Sequence, residues 1–190
     1  MDRLERIVSN SIFSLLCVLT ILLVFEEKVF VPVWLQPIGR MHPMILHFPI
    51  GFIVLLVFAN IFRSQLQEES FEKVNRFLLL LTGLTTVLTA LMGFFLSMEE
   101  GYTSEVMSIH KWIGVGVSYL MYVLILFYHK KKFYQWSLYT SFVGIVIAGH
   151  FGAGLTHGIN FLTEPIFTKE EEPFDKNEPV LTSLILPILE

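Results

Sequence analysis

The chain has 190 residues, of which 54% are hydrophobic and only 16% are charged. A soluble domain carries about 25% charged residues, and the mean hydropathy of this chain is +0.64. The composition therefore excludes an ordinary soluble enzyme and predicts an integral membrane protein, with the lipid bilayer as its first partner. The single cysteine, Cys17, excludes an intrachain disulfide, a cysteine zinc site and covalent haem attachment through Cys-x-x-Cys-His.

Five apolar runs of about 20 residues predict an all-α protein with five transmembrane helices. In chain order the predicted helices cover residues 7–25, 43–62, 76–97, 108–128 and 135–157. We expect the second to fifth helices to form a four-helix bundle over residues 38–162, with the first helix at its periphery. The segment 1–26 carries Arg3 and Arg6 at its amino end, which is also typical of a signal peptide, but no small-residue cleavage site follows it. We therefore expect it to remain as the first helix, in the role of an uncleaved signal anchor.

The distribution of basic residues predicts the orientation of the chain. If the amino terminus lies inside, eight lysines and arginines lie on the inner side and five on the outer side, which also carries acidic loops. This asymmetry predicts a multi-pass protein of the bacterial inner membrane with its tail outside. The basic run 130–132 is explained by this rule, so we expect no nucleic-acid partner. The polar, proline-containing tail 163–190 is expected to be an extended periplasmic linker.

Five of the six histidines fall on the predicted outer side of the membrane, on three different helices: His42, His47, His110, His150 and His157. His129 lies on the inner side, beside the basic run. Ionisable side chains within a membrane span are costly, and they mark functional sites more often than structural ones.

The depth of each histidine follows from its distance along its helix. His47 lies 16 residues from Arg63, and His150 lies 14 residues from Trp136, so these two histidines are expected at similar depth. The other three form a shallower layer near the outer surface. Because His42 and His47 are five residues apart, they are separated by about 140° around a regular helix.

A b-type haem between helices needs two axial imidazoles at matched depth on facing helices. His47 and His150 are predicted to be these ligands. His110 and His157, with His42, are expected to ligate a second haem or to line the route to it. Gly144, Gly149 and Gly152 leave room for a flat macrocycle, and Arg40 and Lys111 are candidate partners of the haem propionates.

Two roles without haem are also open for the histidines. Several imidazoles bind copper or zinc in many proteins, but the two depths disfavour one five-ligand site. Each histidine alone is also consistent with a helix cap. In that case the chain is a redox-inactive membrane anchor or assembly module for a periplasmic domain. No hydrolytic constellation and no phosphate-binding loop is evident.

Three motifs together resemble a known family: Met41-His42-Pro43-x-x-x-His47-Phe48-Pro49, Ile109-His110-Lys111-Trp112 and Gly149-His150-Phe151-Gly152-x-x-Leu155-Thr156-His157. They are similar to the uncharacterised bacterial membrane domain at the amino terminus of planctomycete-type cytochrome c proteins. The resemblance covers about residues 38–162 and implies that the histidine motifs belong together. It also implies a c-type cytochrome on the outer side, as a following domain or a separate subunit.

The sequence thus predicts a membrane-embedded electron-transfer module rather than a stand-alone enzyme. We expect the chain to hold one or two b-type haems. These haems would transfer electrons between the membrane and a periplasmic c-type cytochrome, and quinol is the candidate donor in the membrane.

Overall fold

The computed structural model describes residues 3–99 and 104–158, and within these two ranges the chain is helical and has no strand. Five segments are long and apolar enough to span a membrane: Arg3–Val24, Val33–Ile61, Glu68–Ser97, Glu105–Leu126 and Lys131–His157. The prediction of an all-α chain with five candidate spans is confirmed. The tail 163–190, for which we predicted a linker, lies outside the described residues.

Seven α-helices make up these spans: α1 (Arg3–Val24), α2 (Gln36–Arg40), α3 (His42–Ile45), α4 (His47–Ile61), α5 (Glu68–Ser97), α6 (Glu105–Leu126) and α7 (Lys131–His157). Helix α5 begins eight residues earlier than hydropathy predicts. Its polar first turns are stabilised by an ion pair between Lys73 and Glu69, 2.8 Å apart, and by another between Arg63 and Glu68. Charged turns of this kind extend a helix beyond the apolar layer.

The sequence predicts a second helix over residues 43–62, in which Pro49 bends the helix or frees a carbonyl near His47, and the structure divides this span. A short 3₁₀ turn at Val33–Leu35 leads into α2, and further breaks at Met41 and Leu46 separate α2, α3 and α4. Proline has no N–H group, so Pro49 cannot bond the carbonyl four residues earlier. That carbonyl belongs to Ile45, which is the last residue of α3. His42 therefore lies in a separate short helix rather than at the start of a long one.

Helices α4 to α7 pack as a closed ring. Helix α5 contacts α4 and α6, and α7 contacts α6 and α4. Helix α1 packs outside the ring against α5 and α6, where Ile12 and Leu19 are fully buried. Gly83 of α5 allows this close packing, because a Cβ there would lie 2.9 Å from Ile125 Cδ1 and 3.2 Å from Ile12 Cδ1.

The bundle has two chemically different ends. We call the end formed by α3, the start of α6 and the last turns of α5 and α7 the histidine end. The opposite end, formed by the last turn of α4 and the first turns of α5 and α7, is the asparagine end, after Asn60 and Asn75. Two ion pairs attach α1 to the bundle. Glu5 pairs with Arg76 at 3.2 Å at the asparagine end, and Glu26, just after α1, pairs with Lys111 at the histidine end.

Candidate functional site

The ring of His42 is held against helix α5. Its Nδ1 lies 2.9 Å from the carbonyl oxygen of Thr89. Because a carbonyl only accepts hydrogen bonds, Nδ1 carries the proton and donates. The ring also lies directly over Gly93, where an added Cβ would approach Cε1 to 2.9 Å and Nδ1 to 3.0 Å. Because Gly93 has no side chain, the imidazole of His42 has space to lie against α5.

His110 has the same surroundings on helix α7. Its Nδ1 donates to the carbonyl oxygen of Ala148 at 2.8 Å. The ring lies over Gly152, where an added Cβ would be 3.0 Å from Cε1 and 3.3 Å from Nδ1. In both cases the accepting carbonyl is four residues before the glycine, so one helical turn provides both the hydrogen bond and the space.

The two rings face each other inside the histidine end. Their centroids are 6.1 Å apart, and their planes are nearly perpendicular, at 83°. Both side chains are partly buried. In the neutral form of each ring, Nε2 keeps its lone pair, because Nδ1 holds the proton. The structure therefore leaves one nitrogen lone pair on each ring, from α3 and from α6, and both rings are fixed by backbone hydrogen bonds.

The same arrangement occurs twice in the bundle. His42, in α3, contacts α5, and His110, near the start of α6, contacts α7. Each histidine contacts a backbone carbonyl and the glycine one turn later in the same helix. No internal repeat stands out in the amino-acid sequence, because the repeated features are single residues at unequal spacing. The patterns Thr89-x-x-x-Gly93 and Ala148-x-x-x-Gly152 are the small-residue spacing at which membrane helices approach closely.

The other histidines of the predicted site have different surroundings. His47 is exposed on the surface of the chain, and its Nδ1 lies 3.2 Å from the carbonyl oxygen of Met44, one turn earlier in its own segment. His150 is exposed, and its ring contacts that of the adjacent Phe151 at 5.7 Å. His157, in the last turn of α7, is also exposed. The pairing of His47 with His150 stays a prediction, whereas the pair that the geometry brings together is His42 and His110.

Arg40 and Lys111, the candidate propionate partners, both form ion pairs at the histidine end. Arg40 donates to both carboxylate oxygens of Glu99 at 3.0–3.1 Å, which attaches α2 to the end of α5. Lys111 donates to Glu26, and its Nζ lies 6.0 Å from the Trp112 ring centroid. A bound anion at this end would have to exchange with these carboxylates.

A second polar cluster, which was not predicted from the sequence, occupies the asparagine end. Asn75 is only 1% exposed and bonds at once to α4, to α7 and to the turn after α6. Its Nδ2 donates to the hydroxyls of Tyr134 (3.0 Å) and Tyr128 (3.2 Å), and its Oδ1 accepts from Asn60 Nδ2 at 2.8 Å. Tyr128 in turn donates to Glu72 Oε2 at 2.9 Å. Asparagine at positions 60 and 75, each beside an apolar run, is the sequence signal that marks this cluster.

Tyr128 lies outside the membrane-spanning segments, and burial raises its pKa to about 12. The hydroxyl is therefore protonated near neutral pH and remains a donor to Glu72. The guanidinium of Arg76 lies 4.8 Å from the centroid of the Tyr128 ring.

Beside this cluster is a cavity of about 70 Å³. A buried water needs roughly 10–15 Å³ of such volume, so the cavity has room for a few waters or one small polar group. It is lined by Asn60, Arg63, Phe71, Glu72, Asn75, Tyr128, His129, Lys131, Tyr134 and Gln135.

A conventional multi-ligand metal site is not present in the described part of the chain. Within residues 3–99 and 104–158, no group of three or more histidine, cysteine or carboxylate side chains is placed to hold a metal ion. Structural zinc sites have four protein ligands and catalytic sites have three, so the histidine end does not fit either type.

The sequence profile of a family of predicted membrane proteins, DUF2231, matches residues 39–165. The chain belongs to this family. The match begins just before His42 and includes every histidine of the candidate site. No curated protein and no solved structure matches the chain.

Proposed function

We propose that this DUF2231 protein is a membrane redox module that holds a b-type haem between His42 and His110. The observation that carries the proposal is the pair of facing imidazoles, each fixed through Nδ1 to a backbone carbonyl. Histidines that ligate a metal usually donate their other ring N–H to a carbonyl or carboxylate, which fixes the tautomer and the ring orientation. Both rings meet that condition.

The separation of the rings supports one iron between them. An imidazole nitrogen lies about 2.0 Å from a bound metal ion, so two rings on opposite sides of one ion have centres roughly 6 Å apart. The centroids of His42 and His110 are 6.1 Å apart. The same distance also falls within the range of simple aromatic pairs, so the hydrogen bonds to Nδ1 are the stronger part of the argument.

The geometry favours this pair over His47 and His150. The hydrogen bond of His47 is to Met44, only three residues earlier in the chain, and no hydrogen bond of His150 is found among the described residues. Both histidines are exposed. We therefore assign the first haem to His42 and His110, and keep His47, His150 and His157 as candidates for a second haem. Arg40 and Lys111 are the basic groups near enough to this end to exchange their carboxylates for propionates.

When bound, the haem would supply one-electron redox chemistry, and the residues of this chain would set its environment. The backbone carbonyls of Thr89 and Ala148, which accept from Nδ1, make the two imidazoles more basic. We propose that electrons pass between quinol in the membrane and a c-type cytochrome on the periplasmic side, as the resemblance in the histidine motifs implies. By the positive-inside rule, the histidine end would face the periplasm of a bacterial inner membrane.

The test is a reduced-minus-oxidised spectrum with a pyridine haemochrome assay on protein expressed with ample haem. We expect low-spin b-type haem, with a highly anisotropic ferric EPR signal from the haem between the nearly perpendicular rings. His42→Ala and His110→Ala should each abolish this signal, whereas His47→Ala and His150→Ala, which test the alternative pairing, should retain it. His129→Ala, at the opposite end of the bundle, is the control and should retain all haem. Protein without haem would refute the proposal, and loss of the signal confined to the His47 and His150 variants would refute the pairing.

A second candidate is a single copper ion between the same two rings. It is favoured by the small number of ligands at the histidine end, because two imidazoles alone are enough for Cu(I) but not for a zinc site. Elemental analysis separates the two candidates, since one gives iron with a haem spectrum and the other gives copper without one. Protein with neither iron nor copper would instead favour the membrane anchor.

A further inference from the structure

The cavity at the asparagine end is a place for a charged ligand, and it is independent of the histidines. The buried polar side chains that form its floor already have hydrogen-bond partners within the protein. Both amide hydrogens of Asn60 and both of Asn75 are donated to other protein groups. The hydroxyls of Tyr128 and Tyr134 also donate internally, to Glu72 and to Asn75. A ligand would therefore be recognised at the rim rather than at the floor.

The rim has positive charges from two elements. Lys131, at the start of α7, is exposed and has no ion pair or hydrogen bond with any other residue of the described ranges. Arg63, beyond the end of α4, also lines the cavity, and it is held by Glu68 and by the Phe71 ring, whose centroid is 4.9 Å from its Cζ. Such a pair of cations at the end of a membrane bundle is suited to a phosphate group.

The rim also carries one carboxylate, that of Glu72. Its Oε2 accepts from Tyr128, and no partner of Oε1 is found among the described residues. A carboxylate disfavours a plain anion but favours a ligand that carries an ammonium group beside its phosphate. The lining of the cavity thus matches a zwitterion, with phosphate toward Lys131 and Arg63 and ammonium toward Glu72.

The position of the cavity indicates where such a ligand comes from. It lies level with the last turn of α4 and the first turn of α7, at one boundary of the membrane-spanning segments. Trp136, one turn further along α7, is 76% exposed, and an exposed tryptophan is typical of the membrane interface. Lipid headgroups occupy this layer. A cavity of about 70 Å³ is too small for a large metabolite, whereas a headgroup would place one polar group in it and lie along its charged rim.

We propose that this cavity binds the phosphoethanolamine headgroup of a membrane phospholipid. Lys131 and Arg63 bind the phosphate, Glu72 binds the ammonium, and the Asn60–Asn75–Tyr134 cluster keeps the three helical segments at the spacing that the headgroup needs. The assignment does not depend on which side of the membrane this end faces, nor on what the histidines bind.

The test is native mass spectrometry of delipidated protein titrated with phosphatidylethanolamine or phosphatidylglycerol. We expect tighter binding of phosphatidylethanolamine. A single basic residue near a membrane surface contributes enough attraction for roughly a fivefold change in affinity. Lys131→Gln should weaken binding of both lipids by about that factor, whereas the matched control Lys132→Gln, the adjacent lysine outside the cavity lining, should not.

Glu72→Gln gives the discriminating result. It should reduce the preference for phosphatidylethanolamine over phosphatidylglycerol, while Glu69→Gln, which removes a carboxylate paired with Lys73, should leave it unchanged. Equal effects of Lys131→Gln and Lys132→Gln, or no preference between the lipids, would overturn the proposal. Glycerophosphoethanolamine without acyl chains serves as the soluble probe, and if it binds as tightly as the lipid, the lipid assignment is wrong.

Discussion

Substitution of Gly152 by alanine tests whether the histidine end depends on the close approach of a ring to a helix. The added Cβ would lie 3.0 Å from Cε1 and 3.3 Å from Nδ1 of His110. Both distances are shorter than ordinary van der Waals contact, so the ring must move away from α7. Movement of the ring also weakens the 2.8 Å hydrogen bond from Nδ1 to Ala148.

The magnitude follows from two opposing effects. Overpacking of a tightly packed site costs about 1–3 kcal/mol. Replacement of a helical glycine by alanine stabilises the helix by up to about 1 kcal/mol. Gly149→Ala, three residues earlier on the same helix, isolates the second effect, because no atom lies within 4 Å of a Cβ at that position. We therefore expect Gly152→Ala to be less stable than Gly149→Ala by about 1–3 kcal/mol.

The assay is equilibrium unfolding in mixed micelles, followed by circular dichroism, with each variant measured against the unsubstituted protein. Gly93→Ala should behave like Gly152→Ala, because the Cβ would lie 2.9 Å from Cε1 of His42. In protein that holds a haem, both variants should also change its spectrum, and Gly149→Ala should not. Equal stabilities of Gly152→Ala and Gly149→Ala would show that the ring is not confined by this glycine.

Three further predictions concern other parts of the bundle. Gly39→Ala should destabilise the protein more than Gly152→Ala in the same unfolding assay. The Cβ added at position 39 would lie 2.8 Å from the backbone nitrogen of Leu96, which cannot rotate away as a side chain can. An equal or smaller loss of stability in Gly39→Ala would contradict this reasoning. Asn75→Leu should reduce stability by about 2 kcal/mol, because four side-chain hydrogen bonds are lost at about 0.6 kcal/mol each. Thr140→Val, which removes a bond within one helix, should have little effect. Stability should fall between pH 10 and about pH 12, because the raised pKa of Tyr128 in the folded protein means that the unfolded chain loses this proton first. Tyr128→Phe should remove that part of the pH dependence of the free energy of unfolding. An unchanged pH profile in this variant would refute the assignment.

The number of spans could be predicted because hydropathy is a local property. Each apolar run of the sequence corresponds to one candidate span in the structure. The predicted boundaries were less accurate where polar side chains stabilise each other. Helix α5 begins at Glu68 rather than near residue 76, because the charged first turns pair with each other and with Arg63. The second span was predicted as one helix, and its division at Met41 and Leu46 became visible only in the structure.

The depth of each histidine could also be counted from the sequence, but depth does not determine which side chains meet. His42 and His110 were expected in one layer, and their rings are adjacent. His47 and His150 were expected at matched depth, yet both are exposed on the surface of the chain. Two residues at equal depth can point in different directions, because rotation of a helix about its axis depends on all of its neighbours.

The sequence by itself determined that this is a helical membrane protein with five candidate spans and with five histidines near one end of them. Both results depend only on local properties of the chain, namely its composition and the position of each residue along its helix. Only the tertiary structure decided that His42 lies over Gly93 and that His110 lies over Gly152, with the two rings facing each other. It also brought together Asn60, Asn75 and Tyr134, which are up to 74 residues apart in the chain. Those contacts depend on the packing of α4 to α7 around a common axis, and no single helix carries that information.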